Sequence, residues 1–183
     1  DDINFVAGRP QPKEPMSEIE DASVEVFEGT TYCIIPSERA NPEAVKTVTG
    51  LVEILGAQPL FIDALEHDSY SSAAVLLPRI LSSALVGSVS SASSWREIAR
   101  VAGAEFRTVS HFAREDPEHS AASFRANAEP VRHWINQAIT ELINYRDQLD
   151  QEDGDLAKEL ERAREERIKW EVDAVVPEVR PEI

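Results

Sequence analysis

The segment Asp63–Ser91 reads D-A-L-E-H-D-S-Y-S-S-A-A-V-L-L-P-R-I-L-S-S-A-L-V-G-S-V-S-S, and after Asp68 its one charged residue is Arg79. Its apolar residues cover more than one face of a helix, which is typical of a buried helix. Its longest apolar run, Ala73–Leu77, is far shorter than the roughly 18 residues of a membrane span. We therefore predict a core helix that does not cross a membrane, with a kink at Pro78, where one backbone hydrogen bond is lost.

The composition limits the classes of partner. The hydrophobic share of 42% and the charged share of 28% are ordinary for a globular protein. The 183 residues include 34 acidic and 18 basic side chains, giving a net charge of -16, and no basic stripe is visible. Binding to a phosphate backbone depends on clustered lysines and arginines, so we expect no nucleic-acid partner.

The single cysteine and the first residues of the chain bear on the cellular compartment of the protein. Cys33 stands in an apolar run with no second cysteine to pair with, which fits a buried side chain in a reducing compartment. The start, D-D-I-N-F-V-A-G, has the pattern of neither a signal peptide nor a transit peptide and lacks an initiating methionine. We expect a cytoplasmic protein, and a chain that begins inside a longer one.

Residues 1–63 predict the end of an α/β domain. The predicted strands are Ile3–Ala7, which ends at Gly8-Arg9-Pro10, then Thr30–Ile35 and Pro59–Ile62. Between the last two, Asn41-Pro42 fits a helix start and Gly56 fits the position just past its end. Strand, helix and strand in this order predict a βαβ unit with parallel strands, at the edge of a larger sheet.

The rest of the chain has wholly helical signals. Apolar residues recur at spacings of three and four, and cap residues mark the helix starts. Ser94 and Glu97 have the spacing of a capping box, which opens a short helix. The predicted helices are residues 94–103, 116–127, 130–149 and 155–170, with a loop containing one or two helical turns at 104–115. The last residues hold two prolines and no period, and predict a tail.

Few chemical motifs are present. The seven glycines never approach the spacing of a phosphate-binding loop, and the four histidines never take the spacing of a metal site. His67-Asp68 lies at the start of the predicted core helix. At such a position, two polar residues more often belong to the helix start than to a catalytic dyad. The sequence therefore predicts no metal site and no nucleotide site of its own.

A set of short motifs gives the chain a resemblance. In order they are Phe27-Glu28-Gly29 before a strand ending in Ile35-Pro36, Asn41-Pro42 through Leu55-Gly56-Ala57, Glu66-His67-Asp68, Leu77-Pro78, and Ala113 with Asp116-Pro117 and Asn127. Over about residues 3–170 this set resembles the C-terminal part of the prephenate/arogenate dehydrogenase family. The family's counterparts are F-E-G, I-L-T-P, L-G-A, E-H-D, S-H-L-P-H and R-I-A-x-S-D-P. Each motif is weak alone, whereas the ordered set is fairly specific.

The resemblance implies an architecture and partners. The implied fold is mainly α, with the C-terminal end of a Rossmann-like nucleotide-binding domain at residues 1–63, an all-helical dimerisation and substrate domain at 64–170, and a tail at 171–183. It also implies a homodimer through the helical domain and NAD or NADP as the cofactor of the full-length protein. The implied substrate is a small dicarboxylate or aromatic acid.

The departures from the family's motifs concern its chemistry. The family histidine that accepts the proton of the substrate's ring hydroxyl falls at Arg9, and arginine stays protonated at any workable pH, so it cannot act as a base. The family's carboxylate-binding arginine falls at His111, and the S-H-L-P-H histidines fall at Leu76 and Arg79. The glycine triplet is reduced to Gly103-Ala104-Glu105. We therefore assign no catalytic residue.

Two interpretations of the remaining basic side chains stay open. In the first, four side chains line an anion pocket, because guanidinium groups can hold a carboxylate through two hydrogen bonds. The four are Arg9, Arg79, Arg107 and His111. In the second, the site has decayed and these side chains pair with acidic residues.

Two functions correspond to these interpretations. One is part of a prephenate or arogenate dehydrogenase-like, NAD(P)-dependent oxidoreductase of tyrosine biosynthesis, which supplies dimerisation and one wall of the substrate site and is inactive as this chain alone. The other is a non-catalytic helical dimer that binds a small aromatic acid or amino acid as a regulatory or scaffold protein.

Overall fold

The computed structural model describes residues 4–12, 23–149 and 155–175, and its first part forms a three-stranded sheet. The strands are β1 (Val6–Gln11), β2 (Thr31–Pro36) and β3 (Gln58–Phe61), with a short 3-10 helix at Val24–Phe27. In the order β1-β2-β3, β1 is antiparallel to β2, and β2 is parallel to β3. The predicted pair of parallel strands is therefore confirmed.

The helix between the parallel strands, α1 (Pro42–Ile54), has the predicted ends. The side chain of Asn41 accepts the backbone N–H of Glu43 at 2.9 Å, and Pro42 occupies the first turn, where no N–H is required. Gly56 follows the helix with a φ of +75°, a left-handed conformation that favours glycine. Local residue chemistry therefore sets both ends of α1.

The buried core of the sheet is small. Ile34, Val52 and Ala57 form it, and partly buried apolar residues surround it. Other large apolar side chains are not part of this core, since Ile54 is 82% exposed and Phe61 is 52% exposed. That these strands are the edge of a larger sheet stays a prediction.

The first strand lies later than predicted. Gly8-Arg9-Pro10 does not end it, because these residues lie within β1 and pair with residues 32–34 of β2. Proline is tolerated there because β1 is at one end of the described sheet, where a strand can lack an outward N–H. Gly8 suits the position because a Cβ atom there would stand 2.6 Å from Cε1 of Tyr32. The predicted turn was wrong, and Ile3 lies outside the described residues.

Helices make up the rest of the described chain. They are α2 (Ala64–Ser71), a π-helical turn (Ser72–Leu76), α3 (Leu77–Ser90), α4 (Trp95–Val101), α5 (Ala104–Val109), a 3-10 helix (His111–Arg114), α6 (Pro117–Ala126), α7 (Ala128–Leu149) and α8 (Leu156–Val175). The fold is therefore mainly α with a small α/β part, as predicted. The chain divides into a helical unit, Ile62–Ala138, and a second unit that comprises the chain up to Phe61 and from Ile139 onward.

The predicted helix starts have different outcomes. Asp116 caps α6 as predicted, because its carboxylate accepts the N–H of His119 at 2.7 Å. Ser94 precedes α4 but makes no side-chain cap, since its ψ of 13° lies outside the extended conformation that a capping box needs. The stretch 104–115, predicted as a loop running into one or two helical turns, is helical from its start, with α5 followed by a 3-10 helix.

The last two helices are longer than predicted. α7 begins at Ala128 instead of Pro130, which lies in its first turn, where proline is tolerated. α8 continues to Val175 instead of ending at Trp170, because no proline or glycine stands before Pro177 to end it. The rest of the predicted tail, residues 176–183, lies outside the described residues.

The central helix runs continuously from Ala64 to Ser90 and contains the π-helical turn just before Pro78. Leu77 donates its N–H to the carbonyl of Ser72, five residues back. The wider turn makes room for the proline ring, which would clash with a carbonyl of a regular α-helix. The disturbance predicted at Pro78 therefore takes the form of a π-helical turn.

Burial of the central helix is much lower than predicted. Its buried residues are Ser72, Leu76 and Ser82, and 17% of its most apolar 18-residue stretch is buried. By length and composition it is the one helix among the described residues that could cross a membrane. This is weak support for a span, because core helices of soluble proteins can have the same length and composition. The prediction of a buried core helix is wrong for the single chain, because the described residues leave much of its apolar surface uncovered.

Candidate functional site

Arg79, on α3, forms an ion pair inside the helical unit. Its Nε lies 3.3 Å from Oε2 of Glu115, and the two side chains are 26% and 31% exposed. Glu115 directly follows the 3-10 helix that begins at His111. The pair therefore joins α3 to the segment that carries His111, and Arg79 already has one carboxylate partner.

Arg107 and His111 lie on neighbouring elements. Arg107 is in the last turn of α5, His111 begins the 3-10 helix, and both side chains are exposed. The His111 ring meets Phe112 edge-on, with 5.3 Å between the ring centres. Within the part of the chain that the structure describes, neither Arg107 nor His111 has an ion-pair partner. Both are therefore accessible to an anionic ligand.

A buried serine fixes this segment on α3. The Oγ of Ser82 accepts the backbone N–H of Ala113 at 3.1 Å, and Ser82 is 1% exposed. The sequence did not single out Ser82 or Glu115, because Ser82 is one of many serines in its segment and Glu115 is one of 34 acidic residues. Both act through contacts with residues more than 30 positions away, so no local signal marks them.

Arg9 lies in the other unit, in β1, opposite Cys33 of β2. It is half-buried and has an interaction partner. Of the four predicted cations, Arg79, Arg107 and His111 therefore lie on contacting elements of the helical unit, whereas Arg9 lies on the sheet. An anion pocket formed by all four stays a prediction.

His67 lies between two polar partners on the central helix. Its Nδ1 is 3.1 Å from Oδ1 of Asp68, and its Nε2 is 3.3 Å from Oγ of Ser71. The histidine side chain is 13% exposed. The two ring nitrogens therefore each have one polar partner. Asp63 provides the cap of α2 by accepting the N–H of Glu66 at 2.9 Å, so His67-Asp68 lies inside the helix and is not its cap.

A cavity of about 370 Å³ opens beside Asp68, at the junction of α6 and α7. It is lined by Leu65, Asp68, Arg125, Ala126, Asn127, Ala128, Glu129 and Pro130. The amide of Asn127 donates to the carbonyl of Ser123 at 3.0 Å, which holds the junction. None of the four predicted binding residues lines this cavity, so it is a separate feature of the helical unit.

The described residues contain no glycine-rich turn that could hold the phosphates of a nicotinamide cofactor. A dinucleotide site needs a glycine-rich turn between a strand and a helix, so that the backbone can approach the phosphates. The connection between β2 and α1, residues 37–41, reads S-E-R-A-N without a glycine, and the Asn41 side chain occupies the N-terminus of α1. Among the described residues, no group of three or more His, Cys, Asp or Glu side chains could hold a metal ion.

Comparison with known proteins relates this geometry to a family. Residues 63–163, more than half of the chain, match the family model described as the prephenate dehydrogenase dimerization domain. The prephenate dehydrogenase of Bacillus subtilis (strain 168) is 24% identical over 152 residues, which cover 82% of this chain and 41% of the relative.

Solved structures have a similar fold. The prephenate dehydrogenase of A. aeolicus, in complex with hydroxyphenyl propionate and NAD+, matches with a TM-score of 0.82 and 22% identity, covering 90% of this chain and 58% of that one. The arogenate dehydrogenase of Synechocystis matches with a TM-score of 0.80 and 20% identity, covering 91% and 62%. This chain thus spans less than two thirds of each of these relatives. With the family model matched over residues 63–163, the chain belongs to the prephenate dehydrogenase dimerization-domain family.

Proposed function

We propose that this chain supplies the dimerisation domain and one wall of the substrate site of a cytoplasmic, NAD(P)-dependent oxidoreductase of tyrosine biosynthesis. The observation that carries the proposal is the family match over residues 63–163. The names of the relatives suggest prephenate or arogenate as the substrate. Because the chain spans 41% to 62% of those relatives, we assign cofactor binding to the remainder of such a protein.

The exposed apolar side chains of the central helix support a homodimer. Leu65, Tyr70 and Leu81 are 84%, 57% and 38% exposed. Soluble monomers rarely leave large apolar patches in water, and burial of such surface contributes about 25 cal/mol per Å². A second copy of the chain packed over this helix would remove that surface from water without a membrane.

The cations of the helical unit support a role in substrate binding. Arg107 and His111 are exposed and lie on elements that contact each other, next to the partly exposed Arg79. Such groups bind and orient a carboxylate. Arg9 cannot take the proton that the family's histidine takes, because its guanidinium stays charged. We therefore propose that the chain alone binds an anion but does not catalyse oxidation.

Dimerisation is tested by light scattering of the purified chain. The mass should be about twice 20.3 kDa. Leu81→Glu places a charge in the apolar surface of α3, and it should raise the dimer dissociation constant at least tenfold, because burying an unpaired charge is unfavourable. Thr47→Glu adds the same charge to the exposed side of α1 and serves as the control. A monomer at tens of micromolar would contradict the proposal.

Catalysis is tested by mixing the chain with prephenate or arogenate and either NAD or NADP. No reduced nicotinamide should form, and its appearance in the absorbance would overturn the proposed inactivity.

The sequence of the full reading frame distinguishes the oxidoreductase from the alternative, a non-catalytic binding protein. A G-x-G-x-x-G strand-to-helix turn upstream of Gly8 supports an oxidoreductase, and its absence supports a binding or scaffold protein.

A further inference from the structure

The cavity at the junction of α6 and α7 is lined by an arginine that the fold leaves without a counter-charge. Within the part of the chain that the structure describes, the side chain of Arg125 has no ion-pair partner. The two acids that line the same cavity each have a polar partner. Oδ1 of Asp68 lies 3.1 Å from Nδ1 of His67, and Glu129 pairs with Arg132. Arg125 is therefore the lining group that is open to an anionic ligand.

Apolar side chains form the rest of the wall. Leu65 of α2 and Pro130 of α7 line the cavity, together with two alanines of the junction. Leu65 is 84% exposed, so a ligand that covers it removes apolar surface from water. The volume of about 370 Å³ is within the range of roughly 300–1,000 Å³ that small-molecule sites have. The cavity thus combines one anion-binding group with an apolar wall.

Hydrogen bonds hold the walls of the cavity in place. Nε1 of Trp134, on α7, donates to the carbonyl of Ser69, on α2, at 3.2 Å. At the junction, Val131 donates its N–H to the carbonyl of Asn127 at 3.0 Å, in addition to the bond from the Asn127 amide to Ser123. Contacts within the protein therefore set the separation of α2 from the junction, so a ligand need not order these segments when it binds.

We propose that this cavity is a second small-molecule site, which binds an apolar monocarboxylate with its carboxylate on Arg125 and its apolar body on Leu65 and Pro130. A guanidinium can hold a carboxylate through two parallel N–H donors. Asp68 and Glu129 line the same cavity, so a ligand with a second negative charge is disfavoured by like-charge repulsion. The inference goes beyond the proposed function and does not depend on it.

The test is an NMR titration of the isotope-labelled 183-residue chain with three matched compounds. They are phenylacetate, its neutral amide phenylacetamide, and phenylmalonate, which has a second carboxylate. Phenylacetate should shift the backbone amide signals of Leu65 and of residues 125–129. It should bind about tenfold more tightly than either of the other two compounds, because one lacks the charge for Arg125 and the other has one charge too many.

Substitutions separate the contributions to binding. Arg125→Gln should lower the affinity for phenylacetate about tenfold, whereas Arg125→Lys keeps the charge and should lose less. Asp68→Asn should narrow the difference between phenylmalonate and phenylacetate, since it removes one like charge. Arg107→Gln is the matched control, because it removes an exposed arginine of the same unit that does not line the cavity. It should leave the titration unchanged.

The result that overturns the inference is binding that survives Arg125→Gln, or phenylacetamide that binds as tightly as phenylacetate. Absence of shifts at residues 125–129 with saturating phenylacetate also overturns it. A loss of binding with Arg107→Gln and not with Arg125→Gln overturns it as well, and supports an anion site at Arg107 instead. Circular dichroism separates lost binding from lost folding. If Arg125→Gln does not fold, Leu65→Asn tests the apolar wall, and an unchanged affinity for phenylacetate in that variant contradicts the assigned site.

Discussion

Ser82 of α3 and Ala113 of the 3-10 helix are joined by a hydrogen bond in which the serine Oγ accepts the backbone N–H at 3.1 Å. The same N–H lies 3.0 Å from the carbonyl of Ser110, so two acceptors share it. Because Ser82 is 1% exposed, water has no access to replace the serine oxygen. The contact therefore fixes the segment that carries His111 and Glu115.

Ser82→Ala should lower the free energy of unfolding by about 1 kcal/mol, the usual net worth of one hydrogen bond. Ser82→Val should cost more, because it adds a methyl group to a site with almost no free surface. Urea unfolding followed by circular dichroism measures both. Ser83→Ala, at the exposed neighbouring position, is the control and should change stability by less than about 0.5 kcal/mol. Equal stability of Ser82→Ala and the control would contradict the assigned role.

Gly50→Ala should stabilise the protein. Gly50 lies inside α1, and apart from the neighbouring backbone of its own helix and its two chain neighbours nothing lies within 4 Å of the position that a Cβ would take. Alanine is favoured over glycine inside a helix by about 0.5–1 kcal/mol, because glycine loses more backbone entropy on folding. Thermal unfolding measures the shift, and a lower midpoint than that of the unsubstituted chain would refute the prediction.

Gly8→Ala should have the opposite effect. The added Cβ would stand 2.6 Å from Cε1 of Tyr32, so the ring must move, at an expected loss of about 1–3 kcal/mol. In a Tyr32→Ala background the same change should cost much less, since the obstructing atom is gone. A double-mutant cycle in urea measures this coupling, and identical losses in the two backgrounds would show that Tyr32 is not the cause.

Asp116→Ala should destabilise α6. The Asp116 carboxylate accepts the N–H of His119 at 2.7 Å, and loss of such a cap costs about 1 kcal/mol. Asp116→Ser keeps an acceptor and should retain most of the stability. Both are compared by thermal unfolding, in which two equally unstable variants would point to a role for the Asp116 charge beyond capping.

The carboxyl of Glu25 should titrate below its ordinary range. A hydrogen bond from Ser23 stabilises its charged form first, with a backbone hydrogen bond adding to the effect, and together they lower its pKa. Since the folded-state pKa is the lower one, this contribution to stability is present above the unfolded pKa and is lost as pH falls through the folded pKa. Ser23→Ala should raise the pKa in an NMR titration, whereas the distant Ser88→Ala should not.

Residues that act on their own backbone were predictable from the sequence. Asn41 and Asp116 each bond to an N–H two or three residues away, so the nearby letters contain the whole interaction. Ser94 is also a residue type that caps helices. However, the turn after α3 holds its backbone outside the extended region, and the cap does not form. That turn is set by the chain before it, which the capping-box pattern does not include.

Features that depend on distant contacts were not predictable. Gly8-Arg9-Pro10 has the letters of a turn, yet pairing with β2 keeps it in a strand. The burial of the central helix was overestimated because the sequence shows which side chains are apolar and not what covers them. Arg79 pairs with Glu115, and that partner became visible only when the fold brought α3 to the 3-10 helix.

The π-helical turn at Ser72–Leu76 has a consequence for how the sequence tolerates change. Each residue of an α-helix advances the side-chain direction by about 100°, and a π-helical turn holds roughly one residue more than an α-helical turn. The phase of α3, and with it the direction of Arg79 and Ser82, is therefore offset from that of α2. A helical wheel that treats Asp63–Ser91 as one regular α-helix therefore assigns residues after the π-helical turn to the wrong side of the helix. Point substitutions within the turn leave that offset in place, whereas deletion of a single residue there would rotate Arg79 away from Glu115.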